Sequence, residues 1–154
     1  ILGLIIGQAI GRWGNFVNRE AFGDYTHSLS AMRIMKDGLT APITETIANN
    51  IQIVNGVSYI QVHPTFLYES LWNLALLIIL LVYFKYRKFD GEIFLLYLVG
   101  YGIGRLWIEG LRTDQLLTPI IKVPASQIVS ALIAIFGIIA IIYKHKCKKN
   151  EKFF

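Results

Sequence analysis

Arg105, Glu109 and Arg112 stand at i, i+4 and i+7, a spacing that sets three side chains on one helix face. Two guanidinium groups and a carboxylate so placed make either an anion site, with Glu109 orienting the forks, or a structural ion pair locking a helix end. Arginine suits a phosphate because its planar fork donates bidentately and stays charged where water is scarce. A second such stretch is Gly11-Arg12-Trp13-Gly14-Asn15-Phe16-Val17-Asn18-Arg19-Glu20-Ala21-Phe22-Gly23, entered from the uncharged run Ile1 to Ile10. An arginine at the end of an apolar run is costly to hold there, so Arg12 marks a functional site by default. Asn15, Asn18 and Glu20 crowd hydrogen-bonding groups beside it, suited to gripping an anion at a lipid surface.

A third block, His63-Pro64-Thr65-Phe66-Leu67-Tyr68-Glu69, opens an apolar run. Pro64 suits the first helical position, with His63 as the cap. Glu69 then falls about one turn inside, where a carboxylate needs a partner and a guanidinium is the obvious one. His63 is either a general base near neutral pH or a structural hydrogen-bonder at a helix start. No second histidine or carboxylate stands beside it at a metal-ligand spacing, so no metal is expected. Tyr97 and Tyr101, also i and i+4, precede Arg105. They either line a helix bundle or offer a hydroxyl to a polar headgroup.

The elements that must position these residues are apolar helices. Of the 154 residues 55% are hydrophobic and 16% charged, against roughly 25% charged in soluble domains. The mean hydropathy of +0.52 agrees. Phe66 to Phe84, Ile93 to Ile108 and Ile128 to Tyr143 are long apolar stretches. A transmembrane helix needs ~20 such residues. The first and third fit; the second is shorter and carries Arg105, so its end should face protein or water. Ile1 to Gly11 is read as the tail of a further span. The expected architecture is therefore an all-α polytopic membrane protein, with three full transmembrane helices and the end of a fourth. Residues 1–154 would form one integral membrane domain, the C-terminal part of a longer chain.

Basic residues orient the spans. Lys85, Arg87 and Lys88 crowd the short link, and Lys144, Lys146, Lys148, Lys149 and Lys152 crowd the tail. The positive-inside rule makes both cytoplasmic. The Arg12 cluster and the Arg105–Arg112 region then share the outer face. Residues 24–62 form an extracytoplasmic insertion. Within it, residues 51–60 read as a β-hairpin turning at Asn55-Gly56, and Ser28 to Lys36 as a short amphipathic helix ended by Gly38. Leu29, Met32 and Met35 would touch lipid or substrate, or pack on the bundle. Gly3, Gly7 and Gly11, and again Gly100 and Gly104, are spaced for close helix approach. The single cysteine, Cys147, excludes an internal disulfide. Beside the membrane it is a free thiol or an acylation target. Basic residues that flank spans argue against nucleic-acid binding.

Taken in order, these blocks resemble bacterial prolipoprotein diacylglyceryl transferases. Gly11 to Gly23 is similar to that family's signature, and His63 to Glu69 to its second block. Tyr101-Gly102-Ile103-Gly104-Arg105, then Glu109, Leu111 and Arg112-Thr113-Asp114, are similar to its third. The likeness runs from about Gly7 to Tyr143, and Trp72 and Asn73 resemble the Gram-positive branch. It implies a cofactor-free enzyme of the bacterial cell membrane with its active face outside. Such an enzyme moves the diacylglyceryl group of phosphatidylglycerol onto the lipobox cysteine of a prolipoprotein signal peptide, forming a thioether and releasing glycerol phosphate. Arg12 and Arg105 would clamp the phosphate. Asn15 and Asn18 would bond the headgroup, Glu20, Glu69 and Glu109 would orient the arginines, and Tyr101 would contact lipid or leaving group. Gly23 and Arg112 would complete the substrate site. The family also carries an upstream His-Gly-Gly element whose histidine is the first-ranked base, with His63 second. A transporter or flippase for an anionic lipid would explain the arginines and glycines equally well, and a structural subunit would pair the charges only with each other.

Overall fold

The computed structural model describes residues 1–39, 41–119 and 122–151. Lys152 of the expected basic tail, and the side chain of Lys149, lie outside that description. The chain is mostly helical. In order it forms α1 (Leu2–Val17), β1 (Met32–Met35), α2 (Glu45–Asn49), β2 (Gln52–Val54), β3 (Val57–Val62), α3 (Thr65–Tyr83), a 3-10 turn (Phe84–Tyr86), α4 (Glu92–Glu109) and α5 (Ala125–Glu151). The long helices pack in a row, α1 on α3, α3 on α4 and α4 on α5.

Two stretches are long and apolar enough to cross a membrane: Thr65–Tyr86, with mean hydropathy 1.9, and Ala125–Lys148, with 2.4. Their outward faces are apolar. Leu71, Leu74, Ile78 and Val82 stand exposed on α3, and Leu132, Ile135, Phe136 and Ile139 on α5. Water-soluble surfaces rarely carry apolar patches of that extent. The expected middle span, α4, is not of this kind, because Glu92, Arg105 and Glu109 interrupt its apolar character.

Glycine lets α4 touch both neighbours. A Cβ on Gly104 would stand 2.2 Å from Trp72 Nε1, and one on Gly102 would stand 2.7 Å from the Ser130 carbonyl. Trp72 Nε1 also donates to the Gly100 carbonyl at 2.9 Å, tying α3 to α4. The earlier stripe behaves differently. Gly3, Gly7 and Gly11 have nothing within 4 Å of a Cβ, so no described helix uses them for close approach.

The segment between α1 and α3 forms a small sheet of order β1-β3-β2, all antiparallel. The expected hairpin is present, with Val54 opposite Val57. Asn55 (φ 51°) and Gly56 (φ 78°) supply the two left-handed residues that a type I′ turn demands. The expected helix over Ser28 to Lys36 is not. Met32–Met35 is instead a strand on β3, with Ile34 opposite Ile60. Burial alternates there, Ile34 inward and Arg33 and Met35 outward, the period of a strand and not a helix. Gly38 (φ 83°) follows a strand, not a helix. Met32 packs on the sheet core of Phe22, Ile34, Ile47, Ile60 and Val62 rather than on the bundle, and Leu29 is fully exposed.

Candidate functional site

Three sequence blocks meet where the small sheet joins the long helices. The loop after α1 is bent by two non-glycine residues of positive φ, Arg19 and Ala21, both at 54°. That strain persists because the loop is pinned on two sides. The Thr65 hydroxyl donates to the Ala21 carbonyl, and the Phe22 carbonyl accepts from Thr113 N at 3.3 Å. Gly23 forms an isolated bridge with Arg112, and its N–H donates to the His63 carbonyl at 3.0 Å. A Cβ at Gly23 would lie 2.7 Å from His63 Cβ and 2.8 Å from the Leu111 carbonyl, so only glycine allows the approach.

Below this seam the charges converge on Glu69, which is 4% exposed. Arg12 Nε from α1 stands 2.6 Å from Glu69 Oε2, and Arg105 Nη1 from α4 donates to Oε1 at 3.1 Å. Arg105 Nη2 reaches Glu109 Oε2 at 2.6 Å. That oxygen is buried and makes no hydrogen bond, so its contact with Arg105 is charge against charge, with no aligned N–H. Arg112 lies beyond the end of α4, yet the turn at Gly110 returns it to the same face. Its Nη1 is 4.0 Å from Glu69 Oε1 and 3.9 Å from Glu109 Oε2. Its Nε and Nη2 grip Asp114 bidentately at 2.9 and 2.7 Å. That hydrogen-bonded pair holds the Asp114 carboxyl below the usual carboxylate range and raises Arg112 further.

The remaining expected residues surround this cluster. His63 caps nothing: α3 begins at Thr65 with Pro64 as its N-cap, one residue later than expected. The missing proline N–H costs nothing there. His63 Nδ1 lies 3.2 Å from the Tyr68 hydroxyl, which in turn lies 2.9 Å from Ser30 Oγ. Asn18 Nδ2 donates to Glu20 Oε1 at 3.1 Å, and Glu20 forms no ion pair with an arginine among the described residues. Asn15 is half-buried on α1, one turn past Arg12. Tyr101 stacks on Tyr97, ring centroids 5.7 Å apart. With Glu69, Trp72, Asn73 and Arg105 it bounds a crevice of about 10 Å³, room for a water and not for a headgroup. Asp114 was not singled out from sequence as a site residue, although its position two residues after Arg112 was the available signal.

Chemically, three guanidinium groups and three carboxylates balance. Arg112 meets carboxylates with all three of its nitrogens, whereas Arg12 meets Glu69 through Nε. Arg12 is held through Nε and is the most open of the three, its side chain 23% exposed. A guanidinium carries five donors, and the ion pair of Arg12 with Glu69 is made through Nε.

Comparison with known proteins follows the same residues. A family model described as prolipoprotein diacylglyceryl transferase matches residues 1–143. A protein of Oceanobacillus iheyensis named phosphatidylglycerol–prolipoprotein diacylglyceryl transferase is 47% identical over 144 residues, 93% of this chain and 46% of that protein. One of Bacillus mycoides with the same name is 44% identical over 149 residues, 97% of this chain and 50% of that protein. The chain spans about half the length of the curated relatives it matches.

Proposed function

The chain belongs to the prolipoprotein diacylglyceryl transferase family, and on that premise we propose that it supplies the phosphate-gripping half of a phosphatidylglycerol–prolipoprotein diacylglyceryl transferase. One observation carries the reading most: Arg12 and Arg105, from different helices, share the buried carboxylate of Glu69 and so can share a ligand.

In the proposed reaction the lipobox cysteine thiol loses its proton to a base, and the thiolate attacks the glycerol carbon that carries the phosphate ester. A carbon–sulfur bond forms, the carbon–oxygen bond breaks, and glycerol phosphate leaves with the electron pair. Negative charge grows on the leaving phosphate, where fixed guanidinium donors lower the barrier. Glu69 and Glu109 hold Arg105 and Arg12 in place beforehand, so no reorganisation is needed as charge develops. Asn15 and Asn18 bond the headgroup, Tyr101 contacts lipid or leaving group, and Glu20, Gly23 and Arg112 complete the wall. His63 is the base this chain offers, since a thiol of pKa ~8.5 needs one near neutral pH.

The proposed setting is a multi-pass protein of the bacterial cell membrane. Residues 1–154 act as one membrane domain, with α4 crossing between the two apolar helices and its charges turned inward. The arginine cluster and residues 24–62 face outside, where an exported lipoprotein presents its cysteine, and the tail faces the cytoplasm. The test uses the full-length protein with labelled phosphatidylglycerol and a lipoprotein signal peptide. Arg12→Ala should lower the release of glycerol phosphate by roughly 10²–10³-fold, the usual loss for one such donor. Unchanged release would rule out the clamp. Headgroup binding with no release in the unaltered protein would instead favour a lipid transporter.

A further inference from the structure

At the end of the bundle away from the arginine cluster lies a cavity of about 400 Å³. About 21 Å of α3, from Glu69 to Tyr83 at ~1.5 Å per residue, separates the two. Arg87, Lys88, Phe89 and Asp90 of the α3–α4 link form one wall, and Lys144 and Lys148 of α5 form the other. Four cations face one carboxylate there. The walls are fixed to each other. The Lys148 ammonium donates to the Lys88 carbonyl. His145 Nε2 and the Tyr83 hydroxyl both meet Glu92 Oε1 at 2.9 Å, and the same carboxylate accepts from Lys88 N. Glu92 is 1% exposed, so this tie is buried and holds α3, α4 and α5 together beneath the cavity. Arg87 is itself held over the Phe84 ring, 4.5 Å from its centroid.

We propose that this cavity is a second anion site and holds a phosphate group. Lysine binds phosphate as a point charge and needs no bidentate register, which suits a roomy pocket better than a tight one. Basic pockets between helices at a membrane face take phospholipid headgroups, and inorganic phosphate presents the same oxygens. The inference rests on the membrane reading above but not on the transfer reaction.

The experiment titrates full-length detergent-solubilised protein with phosphatidylglycerol, with phosphatidylcholine and with inorganic phosphate, and reads bound ligand by native mass spectrometry. Lys144→Gln with Lys148→Gln should weaken anion binding at this end by roughly thirtyfold. Lys85→Gln with Lys146→Gln removes the same charge outside the cavity and should leave binding intact. A lipid source is indicated if phosphatidylglycerol binding falls with the first pair and inorganic phosphate does not bind alone; the reverse indicates free phosphate. Equal losses in both pairs, or no loss in either, overturn the site. Release of glycerol phosphate is read on the same preparations. It should be unchanged by Lys144→Gln with Lys148→Gln, and a parallel fall in transfer would overturn the separation of the two sites.

Discussion

At one end of the bundle Arg12, Arg105 and Arg112 are matched by Glu69, Glu109 and Asp114, and two of those carboxylates are almost fully buried. At the other end Arg87, Lys88, Lys144 and Lys148 border an open cavity, and Asp90 is the one carboxylate among its described lining residues. The difference lies in what each end can hold. Buried guanidinium groups fixed by carboxylates give direction, which a reaction needs where charge develops on one set of atoms. Lysines beside water give field without direction, which suffices to retain an anion or to orient the chain on an anionic membrane.

The contrast breaks first at Glu69. Removing one partner of a buried ion pair strands the rest, at about 3–5 kcal/mol. Glu69→Ala leaves Arg12 and Arg105 facing each other, and thermal unfolding in detergent should fall accordingly. Lys144→Ala, an exposed change, should stay within about 0.5 kcal/mol. Similar losses for both would show that burial does not distinguish the two ends.

Next comes the identity of the cation. Arg105→Lys keeps the charge but cannot reach Glu69 Oε1 and Glu109 Oε2 with one planar fork. Transfer should drop by up to the roughly 10²-fold that deletion of a donor costs. Lys144→Arg at the far end should leave transfer unchanged. Equal tolerance of both exchanges would mean that the arginine cluster works as a field and not as a template.

Below that lies the packing that brings α4 to α3. Gly104→Ala places a methyl against the Trp72 ring, 2.2 Å from Nε1. Overpacking of this kind costs about 1–3 kcal/mol. Because Arg105 is the next residue, transfer should fall together with stability. Gly7→Ala, which meets nothing within 4 Å among the described residues, provides the comparison.

How far the sequence alone foretold this arrangement depends on the range of the forces involved. The hairpin at Asn55-Gly56 was legible because a type I′ turn is decided by its own residues. The meeting of Arg12, Glu69 and Arg105 was legible because isolated charges on apolar helices must find each other. The strand Met32–Met35 was not, since nothing local prefers it; the free edge of β3 and the buried slot for Ile34 decide it. The position of Gly23 was legible as a motif but not as a contact. Its crowding comes from His63 Cβ and from the Leu111 carbonyl, which reaches it only after α4 has turned back. The two glycine stripes read alike in sequence, and only the partner α3, through Leu76 and Trp72, sets Gly100 and Gly104 apart from Gly3, Gly7 and Gly11.

The smallest effect sharpens the comparison at its margin. Asp114 is the most exposed carboxylate of the cluster, its side chain 27% exposed, and its bidentate hydrogen bond with Arg112 holds its carboxyl below the ordinary range. The unfolded chain, with a carboxyl near ~3.9, therefore binds its proton at higher pH than the folded chain does. The stabilisation from this pair is then complete above pH ~4 and fades as the pH falls through the lower folded value. Unfolding of the unaltered protein and of Asp114→Asn should differ at pH 7 and converge under acid conditions. A gap that stays constant with pH would mean that Asp114 acts by shape, and the charge balance of the arginine cluster would then rest on Glu69 and Glu109.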